Sequence, residues 1–315
     1  MLALTALLVK SRAVDDVVSS YVNEEDLASA SNDTSRMEPP IRFDTPTQFE
    51  LKPIWQAMPV PRYAGDVPGR WHSKGMQDRL VHTLLGGPRG GFFIDLAANH
   101  PVFISNSRAL ERDYNWTGLC VEANPRYWML LRAVRACQVV GVAISNKEGV
   151  ATFVDQDKGG FGGLNGLPGI RKETAERSGY LRRAFETRTK PFDKLLAEMG
   201  APRTIDYLSL DVEGAEPLVL ESFPFATHRF LIMTLEVPQG GPRGSLVTKL
   251  CARFQHHGYR RLCRLLDDDV WIDTRATLNK SALALIVNHN NVDRCEPIVG
   301  MRLPVEIPKR SYCVG

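Results

Sequence analysis

Four apolar runs in this chain end on a carboxylate: Phe92-Phe93-Ile94-Asp95, Leu119-Cys120-Val121-Glu122, Tyr207-Leu208-Ser209-Leu210-Asp211 and Met233-Thr234-Leu235-Glu236. If such runs are strands of an open α/β sheet, ligands bind beyond their carboxyl ends, and acids ending successive strands converge on one crevice. A single carboxylate of this kind is more often a solvated strand end or a helix cap. Four at equivalent positions are not common by chance. Asp95 leads into Leu96-Ala97-Ala98-Asn99, a small-residue turn that lets backbone approach a ligand closely, as a nucleotide-like cofactor requires. Glu122 is placed to accept hydrogen bonds from two ribose hydroxyls. In Asp211-Val212-Glu213-Gly214 two carboxylates bracket an apolar residue just where the sheet ends. No Gly-x-Gly-x-x-Gly follows the first run, which disfavours a nicotinamide oxidoreductase and a pyrophosphate-containing cofactor.

The elements that must position these acids follow one grammar, an apolar run, an acidic turn and a helix-like segment. Gly75 to Leu85 places Met76, Leu80, Leu84 and Leu85 on one helical face before Gly86-Gly87-Pro88 stops it. Further helices are expected at Ser107 to Tyr114, from Asn124-Pro125 to about Ala136, at Gly214 to Phe223, and near Ser245 to His257. Asn124 is a good cap and Pro125 a good first helical residue. A third apolar run, Gln138 to Ile144, joins Val150 to Val154 through a turn, and Arg261 to Asp273 and Ala282 to Val287 read as closing strands. Alternation of this kind predicts an α/β domain with a mostly parallel sheet and helices on both faces.

Between 157 and 190 the pattern breaks. Gly159-Gly160-Phe161-Gly162-Gly163-Leu164-Asn165-Gly166 reads as irregular, because each glycine carries backbone entropy that regular structure would have to remove. Arg171 to Lys190 holds seven basic residues against three acidic ones. Residues 157–190 therefore read as a lid insertion beside the strand ends, and its charge suits an acidic acceptor. Upstream, residues 1–52 read as a flexible polar arm and 53–74 as a Pro-rich strap, with the folded domain over 75–315.

The net charge of +3 is too mild for a phosphate-tracking surface, so nucleic acid is not an expected partner. Met1 to Val9 is apolar but too short to span a bilayer, so no membrane anchor is visible. The compartment stays open between cytoplasm and a secretory lumen. The six cysteines include no CxxC pair, which removes the usual argument for zinc. Cys120 and Cys137, beside strand-like runs, read as buried thiols, although an even count also suits one or two disulfides.

Phe93-Ile94-Asp95-Leu96-Ala97-Ala98-Asn99, Val121-Glu122-Ala123-Asn124-Pro125 and Ile205 to Glu216 together resemble the FkbM-type methyltransferases, as do Ser105-Asn106 with Leu110-Glu111, Trp116-Thr117-Gly118 and Thr189 to Leu196. The resemblance covers Gly75 to Val287 and implies a seven-stranded Rossmann-like fold with S-adenosylmethionine as cofactor. Asp95, Leu96, Ala97, Asn99, Glu122, Asn124 and Ala143 are then the cofactor-binding residues. It further implies a hydroxyl of a sugar, glycan or small metabolite as acceptor. Ala97 stands where the family usually has Gly and Ala123 where it usually has Pro, and a methyl at Ala97 crowds the turn if φ is positive there.

Methyl transfer from a sulfonium needs alignment, exclusion of water and a destination for the hydroxyl proton. Asp211, Glu213 and Glu236 are the candidate general bases, with His100 a weaker one. In a variant of this scheme Asp211 and Glu236 hold a divalent cation that orients the acceptor; otherwise no metal is expected. The rival reading is a methyltransferase-fold binding or trafficking protein without turnover.

Overall fold

The computed structural model describes residues 63, 65–156, 162–164, 182–237 and 252–287. By its contacts the chain divides into two units, Met1–Gly65 and Asp66–Gly315, and the elements below belong to the second. The polar arm, most of the strap and much of the 157–190 insertion lie outside the described residues.

In chain order the elements are α1 (Gln77–Leu84), β1 (Phe92–Leu96), α2 (Arg108–Tyr114), β2 (Thr117–Val121), α3 (Pro125–Val134), β3 (Gln138–Val140), β4 (Ala143–Ser145), β5 (Gly149–Gln156), β6 (Gly162–Leu164) and β7 (Arg182–Pro191). Then follow α4 (Phe192–Glu198), β8 (Thr204–Leu210), α5 (Glu216–Glu221), β9 (Arg229–Glu236), β10 (Tyr259–Leu265), β11 (Asp268–Asp273) and α6 (Lys280–Val287). Of the helix expected near Ser245 to His257, the described residues 252–256 are helical.

The seven-stranded sheet has the order β10-β11-β9-β8-β1-β2-β3. It is mixed rather than mostly parallel. β3, β2, β1, β8 and β9 run parallel, but β11 pairs antiparallel with β9 and β10 antiparallel with β11. The expected single run from Arg261 to Asp273 is a hairpin that turns at Leu266, with φ +55°. A hairpin can return only antiparallel, and that reverses this edge of the sheet. Ala282 to Val287 also differs from expectation, being part of a helix; a short apolar run does not by itself distinguish the two.

Period two along the central strands sorts their side chains between two cores. Phe93, Tyr207 and Ile232 join Leu80, Leu84, Leu110 and Trp116 on one face. Ile94, Leu96, Leu208, Leu210, Met233 and Leu235 join Phe192, Leu195 and Val219 on the other. β1 and β2 approach so closely that a Cβ on Gly118 would lie 2.2 Å from the Phe93 carbonyl oxygen. Cys120, on the Phe93 side, is disulfide-bonded to Cys137 with Cα atoms 5.9 Å apart. The buried-thiol reading is thereby corrected, since the turn after α3 brings Cys137 back beside β2, which spacing alone does not reveal. Cys263 is disulfide-bonded as well.

A second, four-stranded sheet has the order β4-β7-β5-β6. Gly162–Leu164 is thus a strand, not irregular chain, because pairing with Phe153 to Asp155 of β5 offsets the glycine entropy. The basic stretch from Arg182 is the long strand β7, paired with β5 from Gly149 to Gln156. Phe153 and Leu164 pack with Ala123, Ala143 and Ala215, so this sheet covers the loops that follow β2 and β8. Thr187 Oγ1 donates to the Ala123 carbonyl at 3.2 Å, tying β7 to the same place.

Candidate functional site

Strand register sets the spacing of the site. Leu96 faces Val121 on one side and Leu210 on the other, and Leu210 faces Leu235. The turn after β1 therefore lies between Glu122 and Asp211, with Glu236 beside Asp211 on the next strand. Strands ~4.8 Å apart put Glu122 and Asp211 roughly 10 Å apart across the turn. One further strand over, Asp268 pairs with Glu236.

At the β1–β2 end the turn is held rigidly. Ala97 and Asn99 have φ of +62° and +51°. The Ala98 N–H donates to the Val121 carbonyl, and the Asn99 N–H donates to Glu122 Oε2 at 2.7 Å. The other carboxylate oxygen, Oε1, accepts from the Asn124 N–H at 2.7 Å. Asn124 Oδ1 in turn caps α3 by accepting from the Arg126 N–H, with Pro125 opening the helix. Glu122 is buried, and burial pushes its carboxyl up to about 7 against the lowering effect of the two backbone donors. Each carboxylate oxygen accepts one bond here, leaving lone pairs for a ligand. Ala143 is buried beside Ala123 in the floor of the second sheet, and Leu96 is buried in the sheet itself.

Asp95 lies within β1 and faces away from the crevice. Period two turns it to the side of Phe93, where Ser107 Oγ donates to it at 2.5 Å. Ser107 Oγ also accepts from Arg135 Nη2 at 2.8 Å, and Arg135 Nε pairs with Glu111 at 3.0 Å. Glu111 further accepts from the N–H groups of Ala136 and Cys137. This buried network joins β1, α2 and the end of α3 beneath the turn. Ser107, Arg135 and Ser209, which no reading of the sequence singled out, carry it; Ser209 pairs with Asp95 across the strands and accepts from Asn106 Nδ2 at 2.9 Å. Ser107 had a signal, as a residue placed to cap α2, but its hydroxyl serves Asp95 instead.

His100 lies in the same turn region, with Nδ1 accepting from the N–H groups of Val102 and Phe103 at 3.1 and 2.8 Å. Burial, reinforced by Arg126, lowers its pKa to about 4. It is a neutral turn-forming histidine, which suits packing better than proton transfer.

At the β8–β9 end Asp211, Glu213 and Glu236 each offer a carboxylate oxygen, all within 4.8 Å of one another. Asp211 is partly exposed as a residue, yet its Oδ1 is buried and accepts no hydrogen bond from a described N–H or hydroxyl donor. Burial, with Glu236 and Asp268 nearby, holds Asp211 well above the usual carboxylate range. Burial followed by the charges of Asp211 and Glu216 raises Glu213 to about 8, opposed by Lys74. Burial and Glu213 raise Glu236 to about 7. Glu213 is held at φ +53°, and the loop is stitched by Glu216 Oε1, which accepts from the N–H groups of Val212 and Gly214. Asp268, absent from the sequence reading because hairpin register places it, is buried and bonded by Gln77 Nε2 at 2.7 Å.

Residues 95–261, more than half of the chain, match the family model described as the methyltransferase FkbM domain. The chain belongs to the FkbM methyltransferase family. Comparisons with curated proteins and with solved structures give no match. The FkbM-matched span opens at Asp95 and takes in both ends of the crevice, from the β1 turn to Glu236. A hollow lined by Phe225, Arg229, His257, Tyr259 and Arg275 lies instead at the amino-terminal end of β9, away from this crevice, and both its arginines pair with Asp273.

Proposed function

We propose that this FkbM-family chain transfers a methyl group from S-adenosylmethionine to a hydroxyl oxygen of a sugar, glycan or small metabolite. The observation that carries the reading is the placement of one rigid turn between two acidic ends. Glu122 and the Ala97–Asn99 turn stand on one side, and Asp211, Glu213 and Glu236 stand a strand away on the other. Buried Glu122, fixed by two backbone donors and retaining free lone pairs, fits the ribose hydroxyls of the cofactor. Ala97 and Asn99 bring backbone to the ligand, Asn124 fixes the start of α3, and Ala143 with Ala123 supplies an apolar floor. Leu96 and Asp95 act from beneath, holding the turn in place.

When bound, the cofactor supplies a methyl carbon already activated by its sulfonium. The chain's own part is alignment and proton transfer. The acceptor oxygen would take the methyl carbon as the bond from that carbon to the sulfonium breaks, leaving a neutral thioether, and its proton would pass to a carboxylate of the Asp211, Glu213 and Glu236 group. Their raised pKa values suit a base working near neutrality, and the second sheet over the rim limits water.

The test is incubation with methyl-labelled cofactor and a panel of neutral and acidic glycans. Label in an ether linkage, lost in Asp211→Asn, is the expected result. Label on nitrogen, or equal transfer by the variant, would overturn the hydroxyl reading.

A further inference from the structure

Three carboxylates packed within 4.8 Å of one another pose an electrostatic problem that no cation among the described residues solves by pairing with them. Among the described residues no lysine, arginine or histidine forms an ion pair with Asp211, Glu213 or Glu236. Lys74 acts on Glu213 from a distance, but its side chain is 56% exposed and its ion pair, at 3.9 Å, is with Asp267. Two more acids, Glu216 and Asp268, add to the negative field around Asp211. Like charges at such separations repel by several kcal/mol at an effective dielectric of ~20. The arrangement needs either bound protons or a bound cation.

A second observation favours the cation. Asp211 Oδ1 is buried and takes no hydrogen bond from a described N–H or hydroxyl donor, the side-chain contact of Asp211 within this group being with the carboxyl of Glu236, itself an acceptor when ionised. A buried carboxylate oxygen is ordinarily satisfied by a donor, as both oxygens of Glu122 are at the other end of the crevice. Buried charges are otherwise paired or coordinate metals. The three residues also come from two adjacent parallel strands, where the register of Leu210 with Leu235 fixes Asp211 beside Glu236.

We propose that Asp211, Glu213 and Glu236 together bind a divalent cation of the hard, oxygen-preferring class, Mg2+ or Mn2+. The donor set contains no histidine or cysteine, which argues against zinc or copper. Three protein oxygens leave coordination positions for water and for oxygens of an acceptor. Binding of the cation does not depend on the methyl-transfer reading. Its role does rest on that reading: with a cation bound, the three carboxylates would serve as ligands in place of the base, the cation would fix the acceptor hydroxyl and lower its pKa, and the released proton would go to water.

The experiment is a Mn2+ titration of the cofactor-free chain followed by electron paramagnetic resonance, in which free Mn2+ gives the strong signal. Wild type, Asp211→Asn, Glu236→Gln and the exposed control Glu148→Gln are compared, with Mg2+ as competitor. The expected result is one site per chain, displaced by Mg2+, weakened about tenfold or more in Asp211→Asn and Glu236→Gln and unchanged in the control. Absence of saturable binding, or equal binding by the site variants and the control, would overturn the proposal. Asparagine and glutamine relieve repulsion, so the variants should fold, and a melting curve for each checks this. A parallel titration with S-adenosylhomocysteine separates the two failures: homocysteine-analogue binding without Mn2+ sinks only the cation, and Mn2+ binding without the analogue sinks only the methyl-transfer reading.

Discussion

The backbone N–H of Asn99 donates to Glu122 Oε2 at 2.7 Å, so the turn after β1 and the acid after β2 form one unit. The same carboxylate accepts from Asn124 through its other oxygen, and that unit therefore extends to the first turn of α3. Two strand ends and a helix are fixed by one buried side chain. A cofactor held by Glu122 is thereby held relative to Asp211 on the far side of the turn.

Ala97 adopts φ +62°, a conformation that costs a side-chain-bearing residue of the order of 1–2 kcal/mol. Ala97→Gly is expected to leave stability equal or slightly higher, since relief of the strain offsets the added chain entropy of glycine. Ala97→Val is expected to destabilise by about 1–3 kcal/mol. Denaturant midpoints check both. A glycine variant less stable than wild type by more than about 1 kcal/mol would mean that Ala97 makes contacts that outweigh its strain.

Breaking the network under the turn should be costly. Arg135 is fully buried and pairs with Glu111 at 3.0 Å while donating to Ser107, which serves Asp95. Arg135→Met is expected to destabilise by about 1–3 kcal/mol, since Glu111 keeps its ion pair with Arg108 at 2.9 Å while the buried hydroxyls of Ser105 and Ser107 lose their donor. Equilibrium unfolding measures this. A loss under about 1 kcal/mol would show that the network holds without the Arg135 donors.

Glu122, Glu213 and Glu236 have folded-state pKa values near 7, 8 and 7, above the ordinary 4.5. The folded state then binds more protons than the unfolded state between pH 4.5 and about 8, so stability falls as pH rises through that window. The contribution is fully present below pH 4.5 and lost above the folded values. In chelator, unfolding midpoints measured from pH 5 to 8.5 should decline, and the decline should be shallower in Glu213→Gln. Methyl transfer should show the opposite trend, rising with pH through 7–8 as the carboxylates ionise.

The bridge between Cys120 and Cys137 closes a short loop, with a sequence separation of 17, next to the Glu122 unit. Replacing both by Ala is expected to cost about 2–4 kcal/mol. Non-reducing mass analysis confirms the bond and thermal melting the cost. Reduced thiols in protein isolated without reductant would contradict the pairing.

Much of the sheet was legible because its strands announce themselves locally. The runs ending at Asp95, Glu122, Asp211 and Glu236 are short and largely apolar, each with a β-branched or aromatic residue, bounded by turns and in places followed by helix signals such as Asn124-Pro125. Failures arose where pairing partners decide. Gly162–Leu164 carries a glycine-rich sequence and is a strand only because β5 offers a partner, and Arg182–Pro191 reads as part of a basic lid until its alternation is set against β5. The antiparallel edge follows from a two-residue turn at Leu266 that the apolar pattern runs straight through. The acids of the crevice were visible one by one, whereas Asp268 beside Glu236 and Ser209 beside Asp95 are facts of register. Asp95 reads as a strand-end acid, and its inward direction emerges only when β1 is phased against its two cores.

The most direct test of the account is calorimetric titration of the purified chain with S-adenosylhomocysteine, for wild type, Glu122→Ala and Glu122→Gln. The account predicts saturable binding at one site, weakened by about 1–3 kcal/mol in Glu122→Ala and by less in Glu122→Gln, which keeps one acceptor oxygen. Absence of binding by folded wild type, or equal binding by all three, would contradict a cofactor seated on Glu122.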